Sequence, residues 1–157
     1  MNRISTCLFV DCPELLPTVQ RWFETEWPAH YGPGGPGDAR ADLLAYAQDT
    51  LPMGIVAFVD SQPCGFAALK DDAFPSHPQL GPWAGAAFVL PAWRRQGIGA
   101  VLIQALETAA RQRGFERLHA ATATSANLLD RAGWRRIDTV IHDGHSTGIY
   151  ARDLSTG

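Results

Sequence analysis

A chain of 157 residues, 46% of them hydrophobic, has the size of one ordinary domain and can bury about 68–70% of the surface that its unfolded form exposes. Thirteen basic against sixteen acidic residues leave a formal charge of −3, which argues against a nucleic-acid partner because backbone phosphates demand a clustered excess of Lys and Arg. Cys7, Cys12 and Cys64 are odd in number and lack metal-ligand spacing, so reduced thiols and no metal are expected.

No stretch approaches the roughly 18 apolar residues of a membrane span, and no long apolar leader opens the chain. The expectation is a cytoplasmic protein with no membrane partner, in a single domain over residues 1–157. Ile4 to Val10 reads as a first strand closed by Asp11 and Pro13. Leu15, Val19, Trp22, Phe23 and Trp27 then recur at helical spacing, with Pro17 near the helix start. Tyr31 to Gly37 (YGPGGPG) is a sharp loop, and Asp38 is placed to cap a second helix running to about Gln48. Gly54 to Asp60 and Cys64 to Lys70 are apolar strands joined by Ser61-Gln62-Pro63 as a hairpin. Asp71 to Pro82 carries three prolines and no period, so it reads as a loop.

Trp83 to Leu90 (WAGAAFVL) is a buried strand ended by Pro91. A helix follows from about Gly97 to Arg113, burying Ile98, Leu102, Ala105, Leu106 and Ala109, with Glu107 and Arg111 outside that face as a favourable i,i+4 pair. Gly114 stops it. Arg117 to Thr122 is a strand that the right-handed crossover rule sets parallel to Trp83–Leu90. Thr124 or Ser125 caps a short helix ending at Gly133. A last hairpin follows, Trp134 to Ile141 and His145 to Leu154, around Asp143-Gly144. The fold class is α/β, order βααβββαβαββ, with helices on both faces of a central mixed, mostly antiparallel sheet.

The turn between strand and helix, Arg94-Arg95-Gln96-Gly97-Ile98-Gly99-Ala100, is the informative stretch. A helix start leaves backbone N–H groups unpaired with partial positive charge beside them. Gly97 and Gly99 let a phosphate approach the backbone, and Arg94 and Arg95 add full charge, which together suit a pyrophosphate. A P-loop is excluded because no Lys-Ser/Thr pair follows the glycines. The dinucleotide fingerprint is excluded because Leu102 stands where its third glycine would be.

The remaining spacing, R-x-x-G-x-G at Arg94, Gly97 and Gly99, resembles the acetyl-CoA pyrophosphate loop of the GCN5-related N-acetyltransferase (GNAT) family. Val89-Leu90-Pro91 before it, Leu128 to Trp134 (LLDRAGW, similar to L-Y-E-R-L-G-[FW]) and Pro82-Trp83-Ala84 extend the resemblance along the chain. It implies acetyl transfer from acetyl-CoA to a primary amine of a small molecule or peptide by direct attack, with room for a homodimer. Phe88, Val89 and Leu90 would hold pantetheine, and the amide near Val89 or Leu90 would polarise the thioester carbonyl. Arg94, Arg95, Gln96, Gly97, Ile98, Gly99 and Ala100 would hold the pyrophosphate. Leu129 stands where family members commonly carry the tyrosine that protonates the departing thiolate. That departure keeps open a second reading, an acyl-CoA-binding or sensing module without efficient transfer. Glu26, Asp72 and His119 are candidate bases, beside Asp71 and His77.

Overall fold

The computed structural model describes residues 3–72 and 74–154. Seven strands form one sheet: β1 (Ile4–Leu8), β2 (Met53–Val59), β3 (Gln62–Lys70), β4 (Trp83–Val89), β5 (Arg117–Thr122), β6 (Arg135–His142) and β7 (His145–Asp153). Their spatial order is β1-β2-β3-β4-β5-β7-β6. Every neighbour pair is antiparallel except β4 and β5. The helices are α1 (Leu16–Glu26), a single turn α2 (Pro28–Tyr31), α3 (Ala39–Tyr46), α4 (Ile98–Gln112) and α5 (Ala126–Arg131). The expected α/β class and element order are present, with the turn α2 added ahead of the YGPGGPG loop.

Two apolar layers sandwich the sheet. On one face Ile98, Leu102, Leu106 and Ala110 of α4 meet Ile55, Ala67, Leu118 and Tyr150. On the other, Val19, Trp22 and Phe23 of α1 and Leu43 of α3 meet Phe9, Phe66 and Phe88. Aromatic edges order that second layer, with Phe23 and Phe66 at 79° and 5.3 Å between centroids, in the T-shaped range that such pairs favour.

Several boundaries differ from the sequence reading for local reasons. Phe9–Asp11 is a 3-10 turn rather than the end of β1. The β2–β3 turn is Asp60-Ser61, both with positive φ, so Gln62 already pairs with Val59. Asp38 caps α3 as expected, its carboxylate accepting from the Ala41 amide at 3.0 Å. Neither Thr124 nor Ser125 caps α5 with its side chain. Instead Thr122 Oγ1 accepts from both their amides, at 3.1 and 2.8 Å. Glu107 is buried, not outward, because Trp134 Nε1 donates to its carboxylate at 2.9 Å. Arg111 leaves Glu107 unpaired along the helix and donates to the Leu154 carbonyl at 3.0 Å.

His119 sits on β5 where that strand meets β4, 3% exposed and 5.5 Å from the Trp83 ring. Its Nδ1 lies 3.2 Å from the Pro82 carbonyl, while its Nε2 has no partner. Burial lowers its pKa from 6.5, so the folded chain holds it neutral where the unfolded chain would begin to take up a proton. That stability is present above pH 6.5 and drains as the pH falls below it. In denaturant titrations, His119→Phe should flatten the loss of stability between about pH 6.5 and 5. An unchanged slope would show that His119 charges inside the fold without penalty.

Candidate functional site

β4 and β5 pair only at Trp83↔His119 and Ala84↔Ala120, then part. The parting has a visible cause on β4. Between Phe66↔Phe88 and Ala68↔Gly85, β3 advances two residues while β4 advances three. The extra residue makes a bulge at which Ala86 takes φ +50°, a conformation that costs a non-glycine residue of order 1–3 kcal/mol. Bulges re-aim a strand and commonly stand beside active sites.

Past the bulge, the Leu90 amide donates to the Cys64 carbonyl at 2.8 Å. Leu90 is therefore committed to β3, which removes it as the free donor that the resemblance allowed. Strand alternation points the N–H and C=O of Val89 the other way, toward the side from which β5 has withdrawn. The space between the strands opens into a cavity of about 860 Å³. Phe88, Val89, Arg94 and Arg95 line one side of it, and Ser125, Leu128 and Arg131 line another.

At the head of this cavity the glycine turn folds as its sequence requires. Gly97 caps α4 at φ +85°, with open space where a Cβ would stand. The first helical bond runs from the Val101 amide to the Gly97 carbonyl at 3.1 Å. The amides of Ile98, Gly99 and Ala100 precede it and so have no partner four residues back. A Cβ on Gly99 would come within 3.2 Å of Leu128 Cδ2, so this glycine also lets α5 approach α4. Arg95 is exposed with φ +63° beside the turn, and Gln96 Nε2 reaches the Ala92 carbonyl at 3.3 Å.

Arg94 is differently occupied. Its Nε donates to the Val89 carbonyl at 2.8 Å and its Nη2 to Glu26 at 2.9 Å. It thus ties the last turn of α1 to the end of β4, a contact across 68 positions that no local motif announces.

Of the three candidate bases, only Glu26 lines the cavity. Asp72 is exposed and 3.6 Å from Lys70 Nζ. His119 lies at the opposite end of β4 and β5, beside a smaller cavity of about 440 Å³ shared with Arg117 and Asp153. His77 is also away from the cavity, with Nδ1 2.7 Å from Ser76 Oγ and Nε2 2.9 Å from Asp138. That contact and the Thr139 amide hold the Asp138 carboxyl below its ordinary pKa, the amide contributing more. Leu129 is buried against the α4 core, whereas Leu128 faces the cavity. Among the described residues no group of three or more His, Cys, Asp and Glu side chains assembles as a metal site, and no helix is long and apolar enough to cross a membrane.

The parted parallel strands, the bulge and the glycine-capped helix together form one open cleft at the end of β4. The chain belongs to the GNAT acetyltransferase family, whose model matches residues 16–135. It is similar in structure to an aminoglycoside 6'-N-acetyltransferase complexed with coenzyme A, at TM-score 0.76 and 14% identity over 99% of this chain and 98% of that one. Aminoglycoside N-acetyltransferase AAC(6')-Iy in complex with CoA gives TM-score 0.69 and 21% identity over 90% and 93% of the two chains. The yncA protein of Salmonella typhimurium with its cofactor acetyl-CoA gives 0.67 and 16% over 99% and 95%. The sequence has no match among curated proteins.

Glu26 and Arg94 are both part-exposed, at 34% and 47% of their side chains, so water screens their attraction. A double-mutant cycle with Glu26→Gln and Arg94→Ala should return a coupling of about 0.2–1 kcal/mol in unfolding free energy. A coupling of twice that or more would mean that the pair is closed off from solvent.

Proposed function

We propose that this protein is an acetyl-CoA-dependent N-acetyltransferase acting on a primary amine of a small molecule or peptide. The observation that carries the reading is the shared cleft: the outward backbone of Val89 and the unpaired amides at the start of α4 open onto one cavity. Acetyl-CoA would supply the activated acetyl group as a thioester. Ile98, Gly99 and Ala100 would offer their amides to the pyrophosphate, with the α4 dipole behind them and Arg95 beside them. Phe88, Val89 and Leu90 would flank the pantetheine arm. Arg94 and Gln96 hold the loop in shape through their bonds to Val89 and Ala92, and in this reading Arg94 keeps one guanidinium nitrogen for the phosphates.

The Val89 N–H is the donor suited to a developing oxyanion, and one preorganised donor of this kind is worth roughly 2.7–4 kcal/mol. Holding amine and thioester in contact contributes a further 7–11 kcal/mol or so. Neither contribution needs a reactive side chain. An α-amine of pKa about 7.7–8.0 costs only about 1 kcal/mol to deprotonate at pH 7, whereas a lysine-like amine costs roughly 4.6. A weakly basic acceptor is therefore the better match to a cleft whose two carboxylates are both engaged, Glu26 with Arg94 and Glu107 with Trp134. Several neighbours of the same fold are named for aminoglycosides, which supports a small-molecule amine as the acceptor class.

One observation favours a second reading, a CoA-thioester sensor that transfers poorly. Leu129 takes the motif position of the family's tyrosine but is buried against the α4 core, and Leu128 is what α5 turns to the cavity beside it, so α5 offers no phenol to a leaving sulfur. An unprotonated thiolate of pKa near 8.5 costs about 2 kcal/mol at neutral pH, which slows transfer by roughly thirtyfold without touching affinity.

Two measurements test the proposal together. Acetyl-CoA at about 100 times its Kd should stabilise the fold by roughly 2.7 kcal/mol and raise Tm by roughly 5–10 °C. Gly99→Val should remove most of that shift, since its branches fill the phosphate approach and press on Leu128. Thiol release across a panel of amines should then show turnover. Binding without release for any amine would favour the sensor, and a folded protein that ignores millimolar acetyl-CoA would overturn both readings.

A further inference from the structure

The corner between β1 and α1 carries two thiols that acetyl transfer does not use. Cys7 stands next to last in β1, and Cys12 closes the 3-10 turn Phe9–Asp11, its amide donating to the Phe9 carbonyl at 3.0 Å. That turn folds the chain back on itself and sets the two sulfurs 3.1 Å apart. Both also reach the same acceptor, the Leu8 carbonyl, at 3.3 Å each. A disulfide spans about 2.05 Å between sulfurs, so bond formation asks for a displacement of roughly 1 Å, within reach of small side-chain rotations. Cys7 is half-buried and open to a small reagent, while Cys12 is buried behind it. The third thiol offers no competing partner. Cys64 is buried in the α4-side layer, 3.4 Å from the Ala57 carbonyl, whereas Cys12 belongs to the α1-side layer.

We propose that Cys7 and Cys12 form an oxidation site that closes to an intramolecular disulfide when the protein meets a low-molecular-weight disulfide such as oxidised glutathione. The Cys7 thiolate attacks one sulfur of the oxidant, whose S–S bond breaks and releases one glutathione thiolate. The mixed disulfide so formed on Cys7 lies against Cys12. Cys12 gives its proton to the departing side and attacks the Cys7 sulfur, and the second glutathione leaves. The protein dithiol is oxidised by two electrons, and one oxidised glutathione becomes two reduced ones. The order of events follows from the surroundings. Burial, then the bond to Cys7 and the neighbouring charges of Glu14 and Asp11, raise the Cys12 pKa. Cys7, the more accessible sulfur, is the point of entry. Closure would lock the corner from which α1 departs, and α1 is the helix that brings Glu26 to Arg94.

Peptide mapping of the intact, folded chain tests this without reference to acetyl transfer. Trypsin places Cys7 and Cys12 together in Ile4–Arg21 and Cys64 apart in Ala41–Lys70. After exposure to oxidised glutathione, acid quench, unfolding and alkylation, Ile4–Arg21 should appear unalkylated and two hydrogens lighter than its dithiol form. Ala41–Lys70 should be alkylated, and free thiols should fall from three to one per chain. Dithiothreitol should restore all three. Cys12→Ser should trap a glutathione adduct on residue 7, and Cys7→Ser should leave residue 12 unmodified. A wild-type chain that accumulates the Cys7 adduct without closing, that pairs either sulfur with Cys64, or that keeps all three thiols would overturn the proposal.

Discussion

The candidate site depends on one constraint: β4 and β5 are neighbours for only two residue pairs. Each strand has another partner to satisfy. β4 stays with β3 through Val89, and β5 stays with β7 along its whole length, from Arg117↔Asp153 to Thr122↔Gly148. The bulge at Ala86 turns β4 out of line, and α4 must then cross from the end of β4 to the start of β5. A gap in the sheet would normally leave backbone groups unpaired. Here the gap faces a cavity, so the same groups become the lining of the candidate site.

That gap has to be floored, and the way it is floored explains the odd polar contact beneath it. Leu102, Leu106 and Leu129 supply hydrocarbon from two helices. Trp134, just past α5, donates its indole N–H to Glu107 of α4, with Arg152 Nε of β7 at 3.7 Å from the same carboxylate. A carboxylate left alone at 8% exposure would be costly. One hydrogen-bond donor and one nearby cation, from separate parts of the chain, make it a junction between α4, α5 and the sheet.

The sequence was readable wherever a backbone requirement selects a residue type. Gly97, Gly114, Gly133 and Gly144 all take positive φ, and each marked a helix end or turn in advance. Asp38 and the Asp143-Gly144 turn were legible for the same reason. Asp143 takes that conformation just before Gly144, whereas at Asp60, Ser61, Ala86 and Arg95 no following glycine gives it away. The hairpin turn was accordingly misplaced by a residue or two, and the bulge that shapes the cleft was invisible. Helical periodicity sets Glu107 outward, and the glycine turn gives Arg94 to a pyrophosphate. Neither reading could include the contacts with Trp134 and Glu26, because those partners lie 27 and 68 positions away. The glycine loop, by contrast, was legible because it is contiguous.

β6 is the outer strand beyond β7 and presents exposed Ile137 and Ile141, at 42% and 75%. Such a rim is a ready template for strand-to-strand aggregation. Its register slips between Arg136 and Asp138, interrupting the straight run that an incoming strand would copy. Arg135 and Arg136 add charge to the same stretch, and Asp138 is held by His77 from the loop before β4. The irregularity therefore blunts the first half of the rim as a template, and the contact of Asp138 with His77 ties that same stretch to the loop before β4.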